Sequence, residues 1–226
     1  MSQTIDSYKQ AFAATWPDDT PVAQVRFVVL DSETTGFSPR LDRILTIGAV
    51  AVLDGEIVIE DSFDALLRVT GDVGPVAIHG VTPDQTRQGH DEPEVLLRFL
   101  DYLRDGVIVG HHIGHDVATF DAAYERHWGA RLLNRSMDTM DLTLHLEKDG
   151  AFAGRPPIRR FTLDALCELF GVIPHDRHTA SGDAFITAQV LLRLLKLSAR
   201  TGRTTLGRIS QEFVVQPADS SSVASS

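Results

Sequence analysis

The sequence predicts an α/β fold, a mixed β-sheet flanked by helices, on three observations. Three apolar runs open the folded region, and the second and third are separated only by Asp54-Gly55, a two-residue hairpin turn. Beyond them, short apolar runs alternate with segments of helical period. The chain has 226 residues, 43% of them hydrophobic and 23% charged, which is enough to bury one core of this kind.

Tyr8, Phe12 and Trp16 recur every four residues and mark an amphipathic helix that Pro17 and Pro21 interrupt. Residues 1–24 are therefore expected to form a helical extension that packs on its own domain, with a polymerase or a second copy as alternative contacts for the same face. Residues 25–30, 44–53 and 56–67 are the expected antiparallel strands. A helix then starts at Thr82, where Pro83 suits the first helical position and Gln85 completes a capping box. Residues 94–104 read as a second helix, 107–109 as a short buried strand, 114–127 as a helix and 137–142 as a strand. Residues 161–170 form a helix that stops at Gly171, and 184–199 form the last long one. This makes 25–215 one domain. The Ser/Ala-rich stretch 216–226 is expected to be disordered, because it cannot bury enough apolar surface to offset its ordering entropy.

With 21 Lys and Arg against 31 Asp and Glu the formal charge is −10, which excludes a basic nucleic-acid coat or a membrane-surface binder. It does not exclude phosphate chemistry, which responds to local fields and to cations held in a site. Cys167 is the sole cysteine, so no intrachain disulfide forms and a reducing, cytoplasmic location is expected. No basic segment followed by a long apolar one opens the chain, and the most apolar run, Ile44–Leu53, falls short of the ~20 residues a membrane helix requires. Neither secretion nor membrane insertion is expected.

The segment Asp31-Ser32-Glu33-Thr34-Thr35-Gly36 ends the first apolar strand. In an extended chain residues i and i+2 share a face, so Asp31 and Glu33 aim both carboxylates at one point. Such a pair is tolerable around a divalent cation, and hard oxygen ligands suit magnesium or manganese; alone, it also describes a solvated strand end. Asp116 near the start of one helix and Asp183 near the start of another could complete the set. His178 stands five residues before Asp183, which on a regular helix would set the side chains about 140° apart. The two converge only if His178 belongs to the incoming loop, with Thr179 or Ser181 capping and Gly182 relaxing the backbone. An imidazole of reference pKa ~6.5 is suited to take a proton from water.

The segments DSETTG, GHHIGHDVATFD and HTASGDA resemble, in order and spacing, the three motifs of the DEDDh-class 3′–5′ exonucleases, the class of the proofreading epsilon subunit of bacterial DNA polymerase III. The similarity spans residues 25–197, and Ala77-Ile78-His79-Gly80-Val81-Thr82 looks like the class's substrate-side segment. The resemblance implies a ribonuclease H-like sheet and two divalent cations, Mg2+ or Mn2+. It also implies hydrolysis of phosphodiester bonds at nucleic-acid 3′ ends, with release of nucleoside monophosphates. It assigns metal coordination to Asp31, Glu33, Asp116 and Asp183, with Asp31 bridging, and the role of general base to His178. It assigns the terminal nucleotide to Thr34, Thr35, Gly36, His79 and His112. His112 stands where the class usually has Asn, and His115 where an apolar or aromatic residue is common, so the contacts that set substrate preference differ. DNA is the expected substrate, with RNA or short oligonucleotides as the alternative.

Basic residues follow the site: Arg155, Arg159 and Arg160 flank Pro156 and Pro157, and Arg193, Lys196, Arg200, Arg203 and Arg208 lie in a run without acids. The loop arginines are the better phosphate contacts, because the prolines stiffen their presentation. Two rival readings remain. His111, His112, His115 and Asp116 could form a transition-metal cluster of an all-helical phosphohydrolase, which the three early strands disfavour. The domain could also be a noncatalytic partner-binding scaffold, but like charges clustered without cations would merely destabilise it.

Overall fold

The computed structural model describes residues 3–12, 16–154 and 158–211. The predicted segments 25–30, 44–53 and 56–67 form β1 (Phe27–Thr34), β2 (Ile44–Leu53) and β3 (Glu56–Leu66). Asp54 and Gly55 both have positive φ, 50° and 75°, the geometry of a hairpin turn whose twist matches its strands. With β4 (Val107–Gly110) and β5 (Ser136–Asp138) they make a five-stranded sheet of order β3-β2-β1-β4-β5. β2 runs antiparallel to β1 and β3, and β4 runs parallel to β1 and β5. This is the predicted mixed sheet.

Both faces of the sheet are covered, so the first half of β1, nearly all of β2 and all of β4 are apolar and buried. Alternate residues serve opposite cores. Phe27 and Val29 face α6 (Thr139–Lys148), α7 (Leu163–Phe170), α8 (Ala180–Arg200) and α9 (Leu206–Ile209). Val28 and Leu30 face α1 (Gln3–Ala11), α4 (Glu92–Leu103) and α5 (Gly114–Trp128). Two short helices, α2 (Val76–His79) and α3 (Pro83–Arg87), lie between β3 and α4, and the Thr82–Gln85 capping box is fully formed. No helix among the described residues is long and apolar enough to cross a membrane.

Three expectations need correction. The segment 137–142 is not a strand: β5 stops at Asp138, whose carboxylate caps α6 through the Met140 N–H, and Leu142 and Leu146 are then buried at helical spacing. The last long helix starts at Ala180 rather than Ala184, because Thr179 caps it by accepting from the Gly182 N–H. The Tyr8-Phe12-Trp16 stripe does not form one face. Tyr8 is buried against its own domain, accepting from the Leu133 N–H and donating to Asn134 Oδ1. Trp16 lies beyond the helix, donates its indole N–H to the Asp105 carbonyl at 2.7 Å and packs on the opposite core. The tail 216–226 and the residues Arg155, Pro156 and Pro157 lie outside the described residues.

One glycine decides how closely α8 approaches the sheet. Gly48 on β2 is the register partner of Asp31, and a Cβ there would lie 2.2 Å from the Ser181 nitrogen and 2.5 Å from the Ala180 carbonyl oxygen. These are backbone atoms of the helix start, so the whole end would have to move. Gly48→Ala should cost on the order of 3 kcal/mol, the upper end for overpacking, and lower the melting midpoint by roughly 6–12 °C in a chain of this size. Gly114→Ala, where an added Cβ meets nothing within 4 Å, is the control and should melt like the parent. A Gly48→Ala midpoint within a degree of the parent would refute the close-approach argument.

Candidate active site

The site forms where the C-terminal half of β1 emerges beside the start of α8. Asp31 and Glu33 point to one side of the strand, and α8 brings Asp183 to them; one oxygen from each of the three carboxylates lies within 4.8 Å of the others. Asp183 sits in the first turn of α8, where the helix end favours an anion, and its Oδ2 accepts the His178 N–H at 3.2 Å. Asp116, in the first turn of α5, is buried and stands beside this group rather than within it. Its Oδ1 accepts the Ser32 hydroxyl at 2.6 Å.

The acids disfavour one another's charge. Burial, then the negative charges of Asp116, Asp183 and Glu33, push the Asp31 carboxyl well above the usual carboxylate range. Burial and then the charge of Asp183 raise Glu33. Burial raises Asp116 to about 6, against the opposing hydrogen bond from Ser32. A partly buried set of convergent hard oxygens with too little positive charge around it fits a divalent cation. Asp31, Glu33 and Asp183 could hold one such ion.

The other candidate residues lie on the turns that follow β1, β3 and β4 and on the loop that enters α8. Thr34 and Thr35 hold the turn that follows β1: Thr34 Oγ1 donates to the Gly36 carbonyl, and Thr35 Oγ1 donates to Asp42 and accepts the Arg43 N–H. A Cβ at Gly36 would meet the Asp42 carboxylate at 2.8–3.0 Å and displace it from Thr35 and the Ser38 N–H. His79 is buried with both ring nitrogens engaged inside its own loop, at Val73 O and the Val81 N–H, so it shapes the loop and does not extend its ring to the acids. That loop abuts Thr35 through Gly74. His112 is exposed, at a φ of 60°, with its ring edge-on to His111. The turn that carries it is fastened by Asp138, which accepts the Ile113 N–H at 3.0 Å. His178 belongs to the incoming loop, exposed and at a φ of 63°, and its charge reaches Glu33.

Among the described residues the histidine cluster does not assemble: the group able to close on an ion is Asp31, Glu33 and Asp183. His111 is instead tied to Thr139 Oγ1. Of the basic residues, Arg159 and Arg160 are exposed, and Arg203 pairs with Asp149. Lys196 and Arg203 border an apolar cavity with Phe27 and Val52, at the end of the sheet away from the acids. Lys196 lies thirteen residues along α8 from Asp183, about 20 Å away at helical rise.

Several residues with contacts near the acids escaped the sequence reading. Ser32 acts by one hydrogen bond to Asp116, and Asp138 by two, from the Ile113 and Met140 N–H groups, none of which spacing announces. Phe37, 84% exposed on the turn after Gly36, lies near His115 with ring centroids 6.3 Å apart. Arg177 places Nη1 2.5 Å from each Asp183 oxygen and Nε 2.7 Å from Asp164 Oδ1. The signal for Phe37 was available, a large apolar residue directly beside the DSETTG turn.

Comparisons with known proteins place the chain in a family. A DNA polymerase III PolC-type protein of Thermotoga maritima is 32% identical over 201 residues, covering 86% of this chain and 14% of the relative. A DNA polymerase III subunit epsilon-like protein of Rhodobacter capsulatus is 34% identical over 199 residues, covering 86% of this chain and 27% of that one. The chain thus spans well under a third of the length of either relative. E. coli exonuclease I in complex with a dT13 oligonucleotide superposes with a TM-score of 0.66 at 19% identity, covering 78% of this chain and 42% of that one, and shares the ribonuclease H-like arrangement. The RNase T family model, described as exonuclease, matches residues 28–191, which span both the paired acids of β1 and the acid of α8. The chain belongs to this exonuclease family.

Proposed function

We propose that the protein is a metal-dependent 3′–5′ exonuclease that releases nucleoside monophosphates from DNA ends, with residues 25–215 as its catalytic domain. The observation that carries this is the convergence of Asp31, Glu33 and Asp183 within 4.8 Å, with Asp116 behind them. Two divalent cations, Mg2+ or Mn2+, would be held by Asp31, Glu33, Asp116 and Asp183. When bound they stabilise the charge that develops on the attacking and leaving oxygens.

The chain's own residues do the rest. His178 takes the proton of the attacking water on its imidazole and, being exposed, returns it to solvent. The Thr34–Gly36 turn, the loop fixed by His79, and His112 bound the terminal nucleotide, and the exposed ring of Phe37 offers a stacking face for a base. The relatives named as DNA polymerase III components, and the oligodeoxynucleotide in exonuclease I, favour DNA. A reducing, cytoplasmic compartment suits the single buried thiol of Cys167.

The test is a 5′-labelled single strand incubated with Mg2+ or Mn2+, beside the same strand with a blocked 3′ end and an RNA of equal sequence. A metal-dependent ladder that shortens from the 3′ end, fastest on DNA, is expected. Equal degradation of the blocked strand, or activity unaffected by chelator, would overturn the mechanism; faster RNA degradation would overturn the substrate.

A further inference from the structure

Arg177 has no part in the chemistry described so far, yet it is bonded to one of the three convergent acids. Its Nη1 sits 2.5 Å from both oxygens of Asp183, and its Nε donates to Asp164 Oδ1 at 2.7 Å. Its side chain is 22% exposed, and that of Asp183 is 10% exposed. Its positive charge also reaches Asp31 and Glu33. A guanidinium that straddles a carboxylate uses the same lone pairs that a cation would need, and a bound cation would repel it.

We propose that Arg177 is a built-in competitor for the Asp183 carboxylate, which it neutralises in the metal-free protein and must release when a divalent cation binds, so that Arg177 sets the metal affinity of the site. Asp164 is the outer tether. Its side chain is 66% exposed, and rotation about the Arg177 Cδ–Nε bond would lift Nη1 from Asp183 while Nε stays beside Asp164. The position immediately before His178 gives the exchange a second consequence: the loop that carries the proposed base is pinned to the acids through Arg177 and through the His178 N–H bond to Asp183.

The inference rests on the metal-dependent reading above, and its test reads metal binding and melting rather than turnover. Mn2+ would be titrated calorimetrically into the full chain, its Arg177→Gln variant and its Asp164→Asn variant, and each would be melted in EDTA and in saturating Mn2+. Arg177→Gln is expected to bind Mn2+ ~10-fold more tightly, the scale of one charge-assisted hydrogen bond. Asp164→Asn should shift affinity in the same direction by less. Arg177→Gln should melt below the parent in EDTA, with Mn2+ closing the gap. A purely structural Arg177 would give the opposite affinity change, since a disordered loop weakens the site. Equal or weaker Mn2+ binding by Arg177→Gln, or an EDTA midpoint at or above the parent's, would overturn this inference alone. Absence of Mn2+ uptake by every protein would overturn it together with the metal-dependent reading.

Discussion

Asp31→Asn is expected to reduce exonuclease turnover by more than the ~10²–10³-fold that loss of one preorganised electrostatic group costs, while making the metal-free protein more stable. The two effects have one cause. Asp31 is pushed well above the usual carboxylate range by burial and then by Asp116, Asp183 and Glu33. Two unit charges within 4.8 Å repel by about 3 kcal/mol at an effective dielectric near 20, and Arg177 offsets only part of this. Asparagine keeps the shape and removes the charge. The pH dependence follows from the direction of the shifts. A carboxyl whose folded pKa is raised stabilises the fold while it stays protonated, and that contribution is lost as pH rises through the folded value, about 6 for Asp116. Metal-free parent protein should therefore melt higher at pH 5 than at pH 8. The Asp31→Asn protein should show a smaller drop and exceed the parent at pH 8 by on the order of 1 kcal/mol, or roughly 2–4 °C. Melting in EDTA at the two pH values checks it; a lower Asp31→Asn midpoint at pH 8 would show that the acids are not strained by one another.

The sheet was legible because its evidence is local. Apolar runs interrupted by Asp54-Gly55 specify a hairpin whatever surrounds them, and i, i+2 spacing puts Asp31 and Glu33 on one face of any strand. The 137–142 error has the reverse origin. Three strand residues followed at once by a capping Asp138 leave too short a stretch for period to register, and apolar Met137 and Leu142 suit either structure. The early start of α8 depends on Thr179 being preferred over Ser181 as the cap, a choice settled by Gly182: its missing Cβ lets the Asp176 carbonyl approach to what would be 2.1 Å. His79 and Arg177 show what spacing cannot carry. The His79 ring is turned inward by two loop hydrogen bonds, and Arg177 reaches Asp183 only because the chain between them folds back over the helix start. Asp164, its other partner, comes from a different helix.

His178→Asn is expected to lower turnover by ~10²–10⁴-fold, the range for loss of a positioned general base, with Mn2+ binding within a few-fold of the parent. The choice of asparagine follows from the backbone. His178 has a φ of 63°, a left-handed conformation that alanine resists and asparagine tolerates, so the loop and the His178 N–H bond to Asp183 can survive the substitution. His178→Ala confounds loss of the base with a strained turn, whereas His178→Asn removes the imidazole alone. The metal-binding readout separates base from ligand, because the oxygens that converge belong to Asp31, Glu33 and Asp183 and not to this ring. The pH–rate profile gives a second discriminant: the acid limb contributed by an imidazole should disappear from the residual activity of His178→Asn. Less than a tenfold loss in turnover would remove His178 as the base. A loss of turnover matched by an equal loss of Mn2+ affinity would make the loop a part of the metal site, with its histidine acting through Asp183.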